Sequence, residues 1–153
     1  MDESVVRSMA KWPDVPGVYG WLSLDRRGNW LIKGERIGNL ALREFIGRNY
    51  QSDAQGRWYF QNGPQRVFVK FAYTPLVARL ENGALVDHCG RVYGEPHGIW
   101  LDDEGSILLA GALGPALLDD RDLASFIEGL GRAPEDLPRI SRAEVAQKFG
   151  FLP

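Results

Sequence analysis

Short runs in which apolar and polar residues alternate occur in pairs, and a turn sequence separates the two members of each pair. Alternation with a period of two is typical of a β-strand that buries one face. The pairs are Val18 to Leu24 with Asn29 to Lys33, Arg57 to Gln61 with Gln65 to Phe71, Leu76 to Leu80 with Ala84 to Cys89, and Ile99 to Leu101 with Ser106 to Ala110. The pattern therefore predicts four β-hairpins.

The residues between the runs favour tight reversals of the chain. Three segments begin with aspartate and have glycine in the fourth position, namely 25–28, 53–56 and 102–105. Aspartate accepts hydrogen bonds from its own following backbone, and glycine adopts conformations that other residues avoid. Asn82-Gly83 is a strong two-residue hairpin signal, whereas Pro64 after Asn62-Gly63 indicates a longer loop.

A helical spacing of apolar residues appears in three other segments. Leu42, Phe45 and Ile46 predict a helix from about Leu40 to Asn49, with Asn39 as its N-cap. A second helix is predicted to begin near Asp120 and to end at Gly131. A third is predicted from the capping box of Ser141 and Glu144, and Gly150 ends it.

These elements predict an α+β fold, with mostly antiparallel β-hairpins and two or three amphipathic helices packed on the sheet. No β-α-β rhythm occurs, so a parallel sheet is not expected. We expect a single domain over 1–153, with a lead-in segment at 1–16 and a C-terminal helix appendage at 134–153. The predicted core consists of Trp30, Leu42, Phe45, Ile46, Trp58, Val67, Val69, Leu108, Leu123, Phe126 and Ile127.

Two hairpins lead into helices that carry the same Leu-x-x-Phe-Ile pattern, which suggests a two-fold internal duplication. Residues 24–34 align with residues 101–111, and the helix residues Leu42 and Phe45 correspond to Leu123 and Phe126. The alternative is that any hairpin followed by an amphipathic helix resembles another, since two units are fewer than a repeat fold requires.

Composition and charge indicate the cellular compartment and limit the classes of partner that we expect. The chain has 153 residues, of which 44% are hydrophobic, and its net charge is −2. Nucleic acid is an improbable partner, because binding it usually needs a basic surplus. The only cysteine, Cys89, cannot form an intramolecular disulfide, and neither a secretion signal nor a membrane-spanning run is present. We expect a cytoplasmic protein, and an exposed strand edge leaves homodimerisation open.

Sequence motifs for cofactors, metals and catalysis give little support for an enzyme. No phosphate-binding loop occurs, and no cofactor is predicted. Cys89, His88 and His97 lie close in sequence, but their spacing matches no structural zinc site, and no metal is predicted. A small enzyme that uses Cys89 with His88 or His97 remains the alternative to a non-catalytic protein.

The hairpin from Arg57 to Phe71 combines aromatic, amide and cationic residues on neighbouring strands. Alternation places Tyr59 and Trp58 on opposite faces. The polar face could bind an anionic or planar ligand. The alternative is an exposed sheet face with ordinary cross-strand pairs. We therefore predict a binding or regulatory module for a small molecule or protein, with a groove lined by Arg36, Tyr59, Asn62, Gln65 and Arg66.

Two stretches of the chain, Gly28 to Glu35 followed by Asn39, and Gln61 to Val67, resemble a family of proteobacterial proteins. The family is catalogued as a domain of unknown function, and the resemblance covers about Gly20 to Leu130. Members often have proline after the capping asparagine, where this chain has Leu40. The N-terminal half is similar, more distantly, to another bacterial family of unknown function. The resemblance implies a cytoplasmic bacterial protein and no mechanism.

Overall fold

The computed structural model describes residues 1–153 as two six-stranded sheets and four α-helices. The helices are α1 (Glu3–Lys11), α2 (Leu40–Arg48), α3 (Leu123–Leu130) and α4 (Val145–Phe149). The strands are β1 (Val18–Leu24), β2 (Trp30–Ile32), β3 (Glu35–Arg36), β4 (Tyr50–Ser52), β5 (Trp58–Asn62), β6 (Gln65–Phe71), β7 (Leu76–Glu81), β8 (Ala84–Asp87), β9 (Gly98–Asp102), β10 (Ile107–Ala110), β11 (Ala116–Leu118) and β12 (Arg139–Ile140). None of the helices combines the length and apolar character that crossing a bilayer requires.

The predicted α+β class with mostly antiparallel hairpins is confirmed, although each sheet is mixed. The first sheet has the order β3-β2-β1-β6-β5-β4, and the second has the order β12-β9-β10-β11-β7-β8. Parallel pairs join β1 to β6, β7 to β11 and β9 to β12. These parallel pairs connect segments that are far apart in the chain, so no local turn sequence predicts them.

One apolar cluster extends across both halves of the chain and contains most of the predicted core. Trp30, Ile46, Val67 and Leu108 are all buried within it. The prediction of Leu42 as a core residue is wrong, because 36% of its surface is exposed. The first turn of α2 projects beyond the core, and its buried residues begin further along the helix.

Four short strands, β3, β4, β11 and β12, were not predicted, because two or three residues are too few to show alternation. The predicted strand from Ala84 to Cys89 ends at Asp87 instead. Asp87 begins an additional Asp-x-x-Gly turn, the third of four in chain order, with Gly90 at its end, and this turn takes His88 and Cys89 out of the strand.

The four Asp-x-x-Gly turns share one arrangement of hydrogen bonds. One carboxylate oxygen of Asp25, Asp53, Asp87 or Asp102 accepts the N–H groups two and four residues further on, at 2.8–3.0 Å. The fourth residue has φ between +79° and +86°, which favours glycine. The other carboxylate oxygen of each aspartate accepts one hydrogen bond from a side chain. In chain order of the aspartates, the donors are Asn29, Arg57, Arg91 and Tyr73. Each aspartate therefore fixes both the reversal and one neighbouring side chain.

The two predicted hairpin-helix units have the same chain path. Leu22 pairs with Ile32 in β1 and β2, and Ile99 pairs with Leu109 in β9 and β10. Ile99 lies 77 positions after Leu22, and Leu109 lies 77 positions after Ile32. In each unit a third strand pairs with the second and a helix follows. The shared path supports the predicted internal duplication.

Replacement of Asp87 by asparagine should destabilise the protein by about 2–4 kcal/mol, because it leaves buried donors without a charged acceptor. Asp87 is fully buried and accepts from the Cys89 and Arg91 backbones and from the Arg91 side chain. Urea unfolding of the Asp87→Asn variant measures the loss. The exposed Asp14, replaced in the same way, is the control and should change little. Equal stability of the two variants would contradict the assigned role of the turn.

Candidate functional site

The outer side of β5, β6 and the start of β1 carries a group of aromatic and cationic side chains. We call this group the aromatic-cationic face, and its members are Tyr19, Arg57, Tyr59, Arg66, Phe68 and Lys70. The opposite side of β5 and β6 contributes Phe60 and Val67 to the core. Alternation along two paired strands is thus the reason that the face is separate from the core.

The rings and guanidinium groups of this face are stacked on one another. Tyr19 lies on Phe68 with ring centroids 4.7 Å apart and planes 11° from parallel. The guanidinium of Arg57 lies 5.3 Å from the Phe68 centroid, and that of Arg66 lies 4.3 Å from the Tyr59 centroid. Such contacts hold long cationic side chains in place before any ligand arrives.

Asp53 holds both arginines of the face. Its Oδ2 atom lies 2.7 Å from Arg57 Nε and 4.0 Å from Arg66 Nη1. Burial by itself would raise the pKa of Asp53, but hydrogen bonds from the backbone and side chain of Arg57 and the backbone of Gln55 outweigh it and hold that pKa below its usual value. The carboxylate therefore stays charged at neutral pH and continues to orient the arginines.

Two glycines bring Tyr19 onto the face. Val18 pairs with Val67 and Leu22 pairs with Val69, so extra residues bulge out of β1 between them. Gly20, with φ of +74°, lies in this bulge. A Cβ atom at Gly17 would lie 2.7 Å from the Phe68 ring, so a larger residue there would disturb Phe68, on which Tyr19 stacks. The bulge is thus a local cause of the Tyr19–Phe68 stack.

A cleft of about 340 Å³ opens beside this stack. Tyr19, Arg57, Trp58, Phe68 and Lys70 line it, together with the C-terminal residues Leu152 and Pro153. No acidic residue lines the cleft. Tyr19 is 69% exposed, and since one side of its ring lies on Phe68, the other side faces solvent. The cleft offers an aromatic surface beside two cations.

A larger cavity of about 550 Å³ lies between α3 and the second sheet. Leu80, Leu85, Ile99 and Phe126 line it, and Glu95 is its only charged lining residue. Its polar side chains are limited to Glu95 and Ser125, whereas the smaller cleft combines aromatic rings with two cations. The smaller cleft is therefore the better candidate site.

The five residues that the sequence predicted to line one groove occupy three places. Tyr59 and Arg66 meet on the aromatic-cationic face. Asn62 and Gln65 pair at the end of the β5–β6 hairpin, on the side opposite to Tyr59. Arg36 lies on β3, three strand spacings or roughly 14 Å from β6.

Sequence reasoning missed Tyr19 and the C-terminal residues of the cleft. Tyr19 reaches Phe68 only through the parallel pairing of β1 with β6. Leu152 reaches the cleft because its backbone N–H donates to the carbonyl of Gly56, in the second Asp-x-x-Gly turn. No local signal in the sequence marks either contact.

The alternative enzyme centred on Cys89 lacks an activated nucleophile. Burial raises the pKa of the Cys89 thiol to about 12, and burial lowers the pKa of His88 to about 3. His97 lies on the surface, and its backbone N–H donates to the carbonyl of Ala110. A neutral thiol beside a neutral imidazole does not form the thiolate–imidazolium pair that such catalysis uses.

The acidic group Asp102, Asp103 and Glu104 brings three carboxylates within 4.8 Å of one another. Asp102 accepts hydrogen bonds from its own turn and from the Tyr73 hydroxyl. Asp103 accepts from the Arg142 backbone, and Glu104 pairs with the Arg142 guanidinium at 3.0 Å. These contacts give the three carboxylates a structural role.

The fold of this chain is similar to that of two solved structures. A DUF1285 family protein from Silicibacter pomeroyi DSS-3 matches with a TM-score of 0.55 and 17% identity, over 78% of this chain and 74% of that one. A DUF1285 family protein from Shewanella baltica OS155 matches with a TM-score of 0.53 and 13% identity, over 70% of this chain and 90% of that one. These similarities show a shared fold.

The chain belongs to the family DUF2944, described as "Protein of unknown function (DUF2946)", whose model matches residues 1–152. The prediction that the chain belongs to a family of unknown function is thereby confirmed. Among curated proteins, none matches this sequence.

Histidine titration should make the stability of the protein depend on pH. The folded pKa of His88, about 3, lies below its ordinary value of 6.5, so the unfolded chain binds the proton more readily. Stability should therefore be full above about pH 6.5 and fall by about 1.4 kcal/mol for each pH unit below it. Urea unfolding between pH 7 and about pH 4.5 separates this effect from carboxylate titration at lower pH.

The His88→Gln variant should lose this slope, because glutamine does not titrate, while its amide oxygen can still accept the Val77 N–H that His88 Nδ1 accepts at 3.2 Å. The matched control is His97→Gln, at the exposed histidine, and it should keep the slope. A slope that survives in His88→Gln would show that another group causes it.

Proposed function

We propose that the protein is a non-catalytic binding module that holds a small planar organic anion in the cleft of the aromatic-cationic face. The observation that carries the proposal is the exposed ring of Tyr19, stacked on Phe68 beside Arg57 and Lys70. A planar group can stack on the free side of Tyr19, and its anionic group can pair with the two cations.

The dimensions and lining of the cleft support a small ligand. A volume of about 340 Å³ lies at the lower end of the range of small-molecule sites. Phe68 and Leu152 provide apolar contacts, while Arg57 and Lys70 provide positive charge without a carboxylate in the lining. Arg57 and Lys70 would repel a planar cation, and an uncharged ring would lack the ion pair.

Preorganisation supports binding over catalysis. Arg57 is fixed by Asp53 and by Phe68, so ordering it on binding costs little conformational entropy. Neither histidine lines the cleft, and neither does Cys89. The aromatic and cationic groups of the lining can hold a planar anion, and the lining contains no carboxylate to act as a general base.

Three probes of nearly equal size and different charge test the proposal, namely benzoate, benzamide and benzylamine. Binding followed by amide chemical shifts of the isotope-labelled protein should be tightest for benzoate, in the millimolar range expected for such small ligands. The shifts should centre on Tyr19, Phe68 and Lys70. Equal binding of all three probes, or shifts elsewhere, would refute the proposal.

The Tyr19→Ala variant should weaken benzoate binding by about tenfold or more, since it removes the stacking surface. Tyr19 is exposed, so the substitution should leave the fold intact. The matched control is Trp12→Ala, at an aromatic residue that is 56% exposed and does not line the cleft. If the two variants bound benzoate equally well, the aromatic-cationic face would not be the site.

A further inference from the structure

A second cleft lies where the first and third Asp-x-x-Gly turns meet the beginning of α2. Its volume is about 390 Å³. Four arginines from four separate elements line it: Arg27 of the first turn, Arg43 of α2, Arg79 of β7 and Arg121 of the 3-10 turn 120–122. We call it the arginine cleft, and Glu44 is its one acidic lining residue.

Carboxylates outside the lining orient three of these arginines. Arg27 Nε lies 3.1 Å from Asp120, and Arg79 Nη2 lies 3.0 Å from Glu81. Arg121 Nη2 lies 2.6 Å from Asp119, which is buried. These pairs fix the guanidinium groups and leave further N–H donors of each fork unused.

Arg43 differs from the other three arginines. It forms no ion pair, and its Nε atom is shielded from solvent without a hydrogen-bond partner. A shielded donor of a cationic group without an acceptor is costly, and an anion in the cleft would supply the missing acceptor. Arg43 belongs to the first turns of α2, and the dipole of a helix favours negative charge near this end.

His88 adds a second shielded donor to the lining of the cleft. Its Nδ1 atom accepts the Val77 N–H at 3.2 Å, so in the neutral ring the proton is on Nε2. Nε2 is also shielded from solvent and has no hydrogen-bond partner. The ring is wedged against Trp30 and Tyr50, with centroids 5.0 and 5.6 Å away, and Gly28 approaches it so closely that a Cβ atom there would lie 2.7 Å from the His88 Cβ.

We infer that the arginine cleft binds a small molecule that bears a phosphate or diphosphate group. Guanidinium forks from four different elements suit a tetrahedral group, which accepts hydrogen bonds in several directions, better than a flat carboxylate. The ligand would accept hydrogen bonds from two donors that have no partner, Nε of Arg43 and Nε2 of His88. The site shares no residue with the aromatic-cationic face, so it is independent of the function proposed above.

Calorimetric titration with pyrophosphate at constant ionic strength tests the inference, with malonate as a carboxylate of comparable charge. The wild-type protein should bind pyrophosphate more tightly than malonate. The Arg43→Gln variant should bind pyrophosphate at least about tenfold more weakly. The control is Arg132→Gln, at an exposed arginine outside the cleft, and its affinity should equal that of the wild type.

A second measurement locates the bound anion. The Nε–H proton resonance of Arg43, assigned by its absence in Arg43→Gln, should shift on addition of pyrophosphate, and that of Arg132 should not. Failure of pyrophosphate to bind, equal affinity of the two variants, or tighter binding of malonate would overturn the inference. Tyr19→Ala should leave pyrophosphate affinity unchanged, so the two sites can fail separately.

Discussion

A single carboxylate oxygen that accepts two backbone N–H groups occurs at four reversals of the chain, and the rest of the structure depends on it. Asp25, Asp53, Asp87 and Asp102 each satisfy donors that a tight turn would otherwise leave without partners. The glycine in the fourth position lets the chain turn back into the next strand. Because the second oxygen of each carboxylate also holds a side chain, the turns determine where the two cations Arg57 and Arg91 lie as well as which strands are adjacent.

The same turns join the two halves of the protein and form its two candidate sites. Arg26 and Arg27 of the first turn donate to Ser106 and Asp120 in the second half, while Asp102 of the fourth turn accepts from Tyr73, between β6 and β7. The second turn provides Arg57 to the aromatic-cationic face, and the first and third turns provide part of the arginine cleft. Both sites therefore lie where a turn of one unit meets another element.

Local signals in the sequence were sufficient for the hairpins, the helix caps and most of the core, because each depends on residues a few positions apart. Asn39 caps α2 through Leu42, and Gly131 ends α3 in a left-handed conformation, as expected. The third turn was missed because Asp87 follows an apolar run that reads as an uninterrupted strand. The parallel pairs and the contacts of Tyr19 and Arg43 depend on segments that are distant in the chain, so no spacing rule predicts them. Of the residues predicted to form a groove, Tyr59 and Arg66 lie against each other, while the position of Arg36 depends on the strand order of the sheet.

Hydrogen exchange of the turn amides tests the central role of the four aspartates most directly. Two amides in each turn donate to the aspartate, and those of Cys89 and Arg91 donate to a carboxylate that is fully buried. All eight amides should exchange far more slowly than those of an unstructured peptide, and the Cys89 and Arg91 amides should be among the slowest. Exchange of these two amides at the rate of free peptide, in an otherwise folded protein, would contradict the account.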